Sequence, residues 1–175
     1  DDFGLATLGG GDIVAVYDSV HVDPAGIFLQ RYTVDGARLG GEVRADPQNG
    51  LDHVDPVAAP LGGGDFLVAW TEIDDGLNAD TSIWARRFDS DGAALGGAFR
   101  VDEIAGPTKW RAEAAGLADG AAVVVWETDD ADGDSVAARI VEPDGSFRTP
   151  EVRVNATTAE DQDQQVVAPL ADGGF

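Results

Sequence analysis

A short apolar stretch that follows a glycine-rich turn recurs along the chain. In the centre it is Gly64-Asp65-Phe66-Leu67-Val68-Ala69-Trp70, and related copies occupy residues 8–17, 117–126 and 170–175. The leucines that open the copies lie 53, 56 and 53 residues apart, at Leu8, Leu61, Leu117 and Leu170. Such a period indicates an array of one structural unit. We divide the array into repeats at 1–55, 56–111 and 112–164, with the start of a fourth at 165–175, all in one β domain.

Each repeat contains four short apolar segments separated by Gly- and Asp-rich turns, and none has helical periodicity of useful length. Four strands per unit predict an all-β, propeller-like array of four-stranded blades, with about three blades and part of a fourth. The almost unbroken apolar run of the second strand predicts burial of both its faces by neighbouring blades. A β-sandwich is the alternative, but it predicts stricter alternation of apolar and polar residues.

The charge of the chain excludes several function classes. The 33 acidic and 11 basic residues give a net charge of −22, which repels nucleic acid and anionic lipid. The sequence contains no Cys, so thiolate metal sites are excluded. No apolar run approaches the ~20 residues of a membrane helix, which argues against membrane insertion.

The sequence also lacks Met and begins and ends inside repeats, which predicts a fragment of a longer polypeptide.

The repeats carry a family resemblance, clearest in residues 164–175, 83–101 and 152–155. There the pattern Gln-Gln-x-Val-Ala-x-Leu-x-Asp-Gly-Gly-Phe and the pattern Ile-x-Ala-x-Arg-Phe-Asp-x-Asp-Gly stand out. This resembles the tandem repeats of large secreted or surface proteins of Gram-negative bacteria, which accompany calcium-binding RTX repeats and type I secretion. The resemblance implies a secreted or cell-surface location, a calcium-rich setting and a structural or adhesive role. The RTX nonapeptide itself does not occur in this sequence.

The loop between the second and third strands of each repeat is acidic. Alternating carboxylates can converge on a hard cation such as Ca²⁺, which takes six to eight oxygen ligands. We therefore predict Ca²⁺ as a cofactor in the third and second repeats; the alternative is that these loops are simply solvated. The candidate ligands are Asp129, Asp130, Asp132 and Asp134 in the third repeat, and Asp74, Asp75 and Asp80 in the second.

The aromatic and basic residues divide into packing and contact candidates. Trp70 and Trp126 end the buried second strands, so we expect them to pack between blades. The basic spot formed by Lys109, Trp110 and Arg111 is our candidate contact surface for a partner or glycan, and Trp84 is a further candidate for exposed stacking. Arginines also recur at one position of the fourth strand, at residues 44, 100 and 153, where we expect pairing with a carboxylate of a neighbouring repeat.

Motifs of enzyme chemistry are missing from the sequence. The two histidines are not repeated, no Gly-x-Ser-x-Gly elbow occurs, and the abundant carboxylates single out no glycosidase pair. The sequence therefore predicts a non-enzymatic extracellular module for adhesion or docking. Its partners would be other protein subunits, further repeats of the same parent chain, or glycans. The alternatives are a carbohydrate-binding, lectin-like propeller and an accessory domain of a secreted hydrolase.

Overall fold

The computed structural model describes residues 2–19, 25–74, 80–104, 108–129, 133–157 and 161–175. Within these ranges, twelve strands form three four-stranded antiparallel sheets. The first sheet contains β1 (Phe3–Thr7), β2 (Ile13–Ser19), β3 (Gly26–Tyr32) and β4 (Arg38–Arg44). The second contains β5 (Asp52–Pro60), β6 (Phe66–Ile73), β7 (Thr81–Phe88) and β8 (Phe99–Arg100). The third contains β9 (Lys109–Gly116), β10 (Ala122–Asp129), β11 (Asp134–Val141) and β12 (Val152–Arg153).

Every sheet follows the chain in order, so that each strand pairs with the next one along the sequence. The described residues contain a single 3₁₀ turn, Gly62–Gly64, and no α-helix. The all-β prediction is therefore confirmed, and the three successive sheets form a propeller-like arrangement. Closure into a ring and the number of blades stay predictions.

The repeated leucines mark the same turn in every copy. The N–H groups of Leu8, Leu61 and Leu117 each donate to the carbonyl four residues later, at 2.7 Å. Leu170 makes the equivalent bond to Gly174 at 2.8 Å. The segment 161–175 thus has the turn that follows the first strand of each sheet, although the described residues there form no strand.

The first strands of the three sheets lie side by side, since β5 contacts β1 on one side and β9 on the other. Two glycines permit this close approach. A Cβ built on Gly4 would lie 2.9 Å from the Pro56 carbonyl oxygen, and one on Gly116 would lie 2.4 Å from the Pro60 carbonyl oxygen. Larger side chains at these points would push the sheets apart.

Burial of the second strands follows their place in the array. Nearly all of β6 and β10 is buried, because β6 lies between the first and third sheets and β10 lies between the second sheet and the C-terminal segment. In contrast, β2 alternates between buried and half-buried residues. Among the described residues, burial of both faces therefore holds for β6 and β10 and not for β2.

A polar pair joins each sheet to the segment that follows it, and we call it the junction pair. Its first member accepts a backbone N–H from the third strand of its own sheet, at 2.8–2.9 Å in all three cases. Its second member comes seven residues later and contacts the first with its side chain. The three junction pairs are Asp46 with His53, Asp102 with Lys109, and Asn155 with Gln162.

The recurring arginines pair differently from the expectation. Arg44 contacts Asp46 at 2.9 Å, and Arg100 contacts Asp102 at 2.6 Å. Both carboxylates lie two residues further along the same repeat, so the prediction of a partner in a neighbouring repeat was wrong for these two positions. Each arginine therefore pairs within its own repeat, and the contact between one sheet and the segment that follows it is made by the junction pair.

Candidate functional site

The candidate site lies at one end of the array. The first strand of each sheet starts there, and because the strands are antiparallel, each second strand ends there and each third strand begins there. The acidic loops predicted from the sequence connect second to third strands, so they belong to this same end. The glycine-rich turns and the Asp-Gly turns lie at the opposite end.

A conformational irregularity repeats at this end. Asp55, Arg111 and Gln164 have φ values of 52°, 50° and 58°, and each follows the second member of a junction pair by two residues. Left-handed backbone is uncommon for residues other than glycine and often marks functional sites. In β5 and β9 it coincides with a shift of register against the neighbouring strand. The bulges place Asp55 in β5 and Arg111 in β9 at equivalent points of the two strands.

The bulges bring together five charged side chains, which we call the inner-strand cluster: Asp2, Asp55, Arg111, Glu113 and Glu127. Asp2 and Asp55 line the same cavity, close enough for the negative charge of Asp2 to act on the Asp55 carboxyl. The Arg111 guanidinium lies 3.3 Å from both carboxylate oxygens of Glu127. The backbone N–H of Gln164 also donates to Glu127, at 2.7 Å.

Two cavities meet at this cluster and share Asp55 and Arg111. One has a volume of about 360 Å³ and also contacts Trp110, Glu127 and Asp129. The other has about 350 Å³ and extends toward Asp2, Phe3 and Glu113. The cluster is therefore open to a ligand of the size of a sugar unit or more.

Two carboxyl groups of the cluster are shifted toward the protonated form. Burial raises the pKa of Asp55, and the negative charge of Asp2 raises it further, against a lowering by a hydrogen bond from the backbone of Arg111. Burial likewise raises the pKa of Glu113. Carboxyls of this kind can hold a proton at higher pH than free ones and donate it to a bound ligand.

The four contact residues predicted from the sequence do not form one surface. Arg111 and the half-buried Trp110 line the first cavity. Lys109 is fully buried, with its Nζ 3.4 Å from Asp102 Oδ2, so it is not part of an exposed basic spot. Trp84 is half-buried, packs against the core between the first two sheets, and donates to Ser82 Oγ at 3.1 Å.

The predicted calcium ligands are only partly described. Asp75, Asp130 and Asp132 lie outside the described residues. Asp129 and Asp134 pair across the ends of β10 and β11, and burial followed by the charges of Asp161 and Asp129 raises the pKa of Asp134. The backbone N–H of Asp74 donates to the Asp80 carbonyl at 2.9 Å. The part of the chain that the structure describes contains no group of three or more His, Cys, Asp or Glu placed to hold a metal ion. Calcium binding stays a prediction.

The fold is shared with several solved structures. The chain superposes on a Hadza microbial sialidase with a TM-score of 0.63 at 16% identity, over 83% of this chain and 35% of the sialidase. It superposes on a protein of unknown function from Dyadobacter fermentans DSM 18053 with a TM-score of 0.69 at 15% identity, over 98% and 54%. An endo-arabinase from Bacteroides thetaiotaomicron VPI-5482 gives 0.58 at 14% identity, over 87% and 61%. No protein-family model matches the sequence, and no curated protein does.

These similarities correct one prediction. Two of the three proteins are enzymes, and further structures with this fold are arabinanases and an arabinofuranosidase. The prediction that the chain is not an enzyme is contradicted by this set of neighbours. At 10–16% identity the likeness shows the fold, and the chain spans 35–61% of the three proteins described above.

None of the described residues belongs to a helix with the length and hydropathy needed to cross a membrane.

Sequence reasoning missed Asp55, Glu113 and Glu127. The signal that would have found Asp55 is its repeat position, since the equivalent residues are Arg111 and Gln164. The backbone conformation recurs at these three positions, but the residue type does not. A search for a recurring residue type therefore misses the position.

Proposed function

We propose that this chain is part of an exported β-propeller that acts on carbohydrate, and that the inner-strand cluster binds and cleaves the glycan. The observation that carries the proposal is the Asp55 carboxyl, whose pKa is raised, beside Trp110 and Glu127 in an open cavity. An aromatic face suits stacking on a sugar ring, and a carboxyl with a raised pKa suits proton donation. The fold shared with the sialidase and the endo-arabinase supports the same class of ligand.

Cleavage of a glycosidic bond needs an acid and a second carboxylate. In the proposed reaction the Asp55 carboxyl gives its proton to the glycosidic oxygen as the bond from that oxygen to the anomeric carbon breaks. Glu127, a carboxylate that pairs with Arg111 and lines the same cavity as Asp55 and Trp110, takes a proton from the water that forms the new bond to the anomeric carbon. The products are two shorter sugars, one of which carries a new reducing end.

The charge of the cavities favours neutral glycans. Among the described residues that line them, Arg111 is the single base and already pairs with Glu127, whereas Asp2, Asp55, Glu113, Asp129 and Asp134 are acidic. A sialylated or uronate-bearing sugar would meet repulsion at this end of the array. We therefore expect neutral oligosaccharides to bind better than acidic ones of the same length.

The test measures binding by calorimetry and reducing-end release on neutral arabino-oligosaccharides and on a sialylated oligosaccharide. Asp55→Asn should abolish cleavage and keep binding, and Trp110→Ala should weaken binding roughly 3- to 10-fold, in line with about 0.5–1.5 kcal/mol for aromatic stacking. Asp35→Asn, in an exposed turn at the opposite end, is the matched control and should change neither. Cleavage should decline as pH rises through the raised pKa of Asp55. Absence of binding to every neutral glycan would refute the proposal.

A further inference from the structure

The junction between the first and second sheets contains a buried histidine held between two carboxylates. His53 Nδ1 lies 2.7 Å from Asp46 Oδ2, and His53 Nε2 lies 3.0 Å from Glu72 Oε2. The His53 side chain is 1% exposed and the Asp46 side chain is fully buried. Both ring nitrogens therefore face acceptors inside the protein.

This geometry defines the protonation state in which the junction is complete. A neutral imidazole has one N–H donor and one bare nitrogen, whereas a carboxylate can only accept. If His53 were neutral, one of its nitrogens would meet a carboxylate oxygen with no proton between them, and burial would make that unfavourable. The imidazolium donates to both carboxylates at once. It thereby joins β5 both to the segment that follows β4 and to β6.

The charged groups around His53 come from each element that packs on it. Asp46 follows β4 and is itself held by Arg44 and by the backbone N–H of Ile27. Glu72 lies on β6 and also accepts from Asn49 Nδ2 at 2.9 Å. The edge of Trp70 covers the remaining side of the ring, with the two ring centres 5.9 Å apart.

The equivalent junctions lack a group of this kind. The second junction pair is Asp102 with Lys109, which places an ammonium group where the first pair has an imidazole. The third is Asn155 with Gln162, which are joined by a neutral hydrogen bond of 2.8 Å. Histidine is the side chain whose ordinary pKa, near 6.5, lies closest to neutral pH, and of the three junction pairs the first contains one.

We propose that the junction between the first and second sheets is a pH-sensitive clamp, closed while His53 is an imidazolium and weakened when His53 loses its proton. Desolvation opposes the charge on His53, but the two carboxylates overcome it and raise its pKa above 6.5, while His53 and Arg44 help lower the pKa of Asp46 below 3.8. The stabilisation from His53 is then complete below pH 6.5 and is lost as pH rises through the raised pKa. The stabilisation from Asp46 is present above pH 3.8 and is lost as pH falls through its lowered pKa.

The first experiment follows the His53 ring proton by NMR in the whole chain as pH is varied, with His21→Gln to assign the two histidines. The expected midpoint lies above 6.5. Trp70 fluorescence should change with the same midpoint, because the ring of Trp70 contacts His53, and the change should be absent in Trp70→Phe. A titration midpoint at or below 6.5 would overturn the proposal of a clamp. This measurement does not require a substitution of His53.

The second experiment compares the melting temperature of the wild-type chain with that of Asp46→Asn/His53→Gln between pH 6 and pH 9. The double variant copies the neutral Asn155–Gln162 pair. The wild-type melting temperature should fall by a few degrees over this interval, whereas that of the double variant should change much less. Parallel curves for the two proteins would contradict the proposal.

Discussion

The first and second junctions solve one packing problem with different chemistry. The first is aromatic, with Phe66 stacked on Phe88 at 5.3 Å between ring centres and Trp70 fully buried. The second is richer in alanine, which supplies six of the thirteen buried residues in the cluster that contains the fully buried Trp126. The equivalent polar positions hold a histidine in one junction and a lysine in the other. The comparison shows that the repeat conserves backbone geometry and lets side-chain volume and charge vary.

The largest expected effect comes from removing the buried tryptophan of either junction. Trp70→Ala and Trp126→Ala should each lower the free energy of unfolding by about 3–5 kcal/mol, since both side chains are fully buried. We expect Trp126→Ala to cost more, because surrounding alanines are too short to fill the cavity. Urea unfolding monitored by circular dichroism measures the difference. A larger loss for Trp70→Ala would mean that the aromatic junction relaxes less than the alanine-rich one.

Charge removal in the second junction should cost nearly as much. Lys109→Met leaves the buried Asp102 with Arg100 as its partner, and breaking a buried pair costs about 3–5 kcal/mol. Because Arg100 remains, we expect about 3 kcal/mol. The double variant Asp102→Asn/Lys109→Gln copies the third junction pair and should unfold at higher urea than Lys109→Met. If the double variant is the less stable of the two, the junction pairs are not interchangeable.

The next largest loss of stability is expected from substitutions that disturb the close packing of the first strands. Gly116→Ala places a methyl group 2.4 Å from the Pro60 carbonyl oxygen and 2.6 Å from Pro60 Cγ, and overpacking costs about 1–3 kcal/mol. Gly4→Ala, with 2.9 Å to the Pro56 carbonyl oxygen, should cost less. Gly41→Ala is the control, because a Cβ there meets nothing within 4 Å. If thermal melts gave Gly4→Ala a lower melting temperature than Gly116→Ala, the contact of β5 with β1 would be the tighter of the two.

Prediction from the sequence succeeded where a physical signal repeats in residue type. The apolar runs that became β6 and β10 and the glycine turns after Leu61 and Leu117 are such signals, and they were enough for the all-β fold. The predicted repeat limits at 55/56 and 111/112 fall inside β5 and β9, which begin at Asp52 and Lys109. The interior of the junctions has no such signal. Nothing local shows that Lys109, in an acidic chain, enters the core, because its partner Asp102 belongs to the preceding sheet.

The inner-strand cluster is hidden for a related reason. Asp55 and Asp2 are 53 residues apart in sequence, and they meet because β1 and β5 lie side by side. The place of Asp55 in the shared cavity coincides with the bulge at that residue, which is a backbone conformation and not a residue preference. In a chain with 33 acidic residues, composition cannot select the pair that shares a cavity.

The smallest expected effect concerns an arginine at the same position of the third strand in both junctions. Arg139 donates to the Val101 carbonyl of the preceding sheet at 2.8 Å and lies 3.6 Å from the centre of the Phe147 ring. Arg86 makes the longer contacts, 3.4 Å to the Ala45 carbonyl and 5.9 Å to Phe88. Replacement by lysine keeps the charge but loses the planar stack, so Arg139→Lys should cost about 0.5–1 kcal/mol and Arg86→Lys less. Equal losses would show that the alanine-rich junction gains nothing from its closer cation–π contact, and that its stability comes from Trp126 and the buried lysine instead.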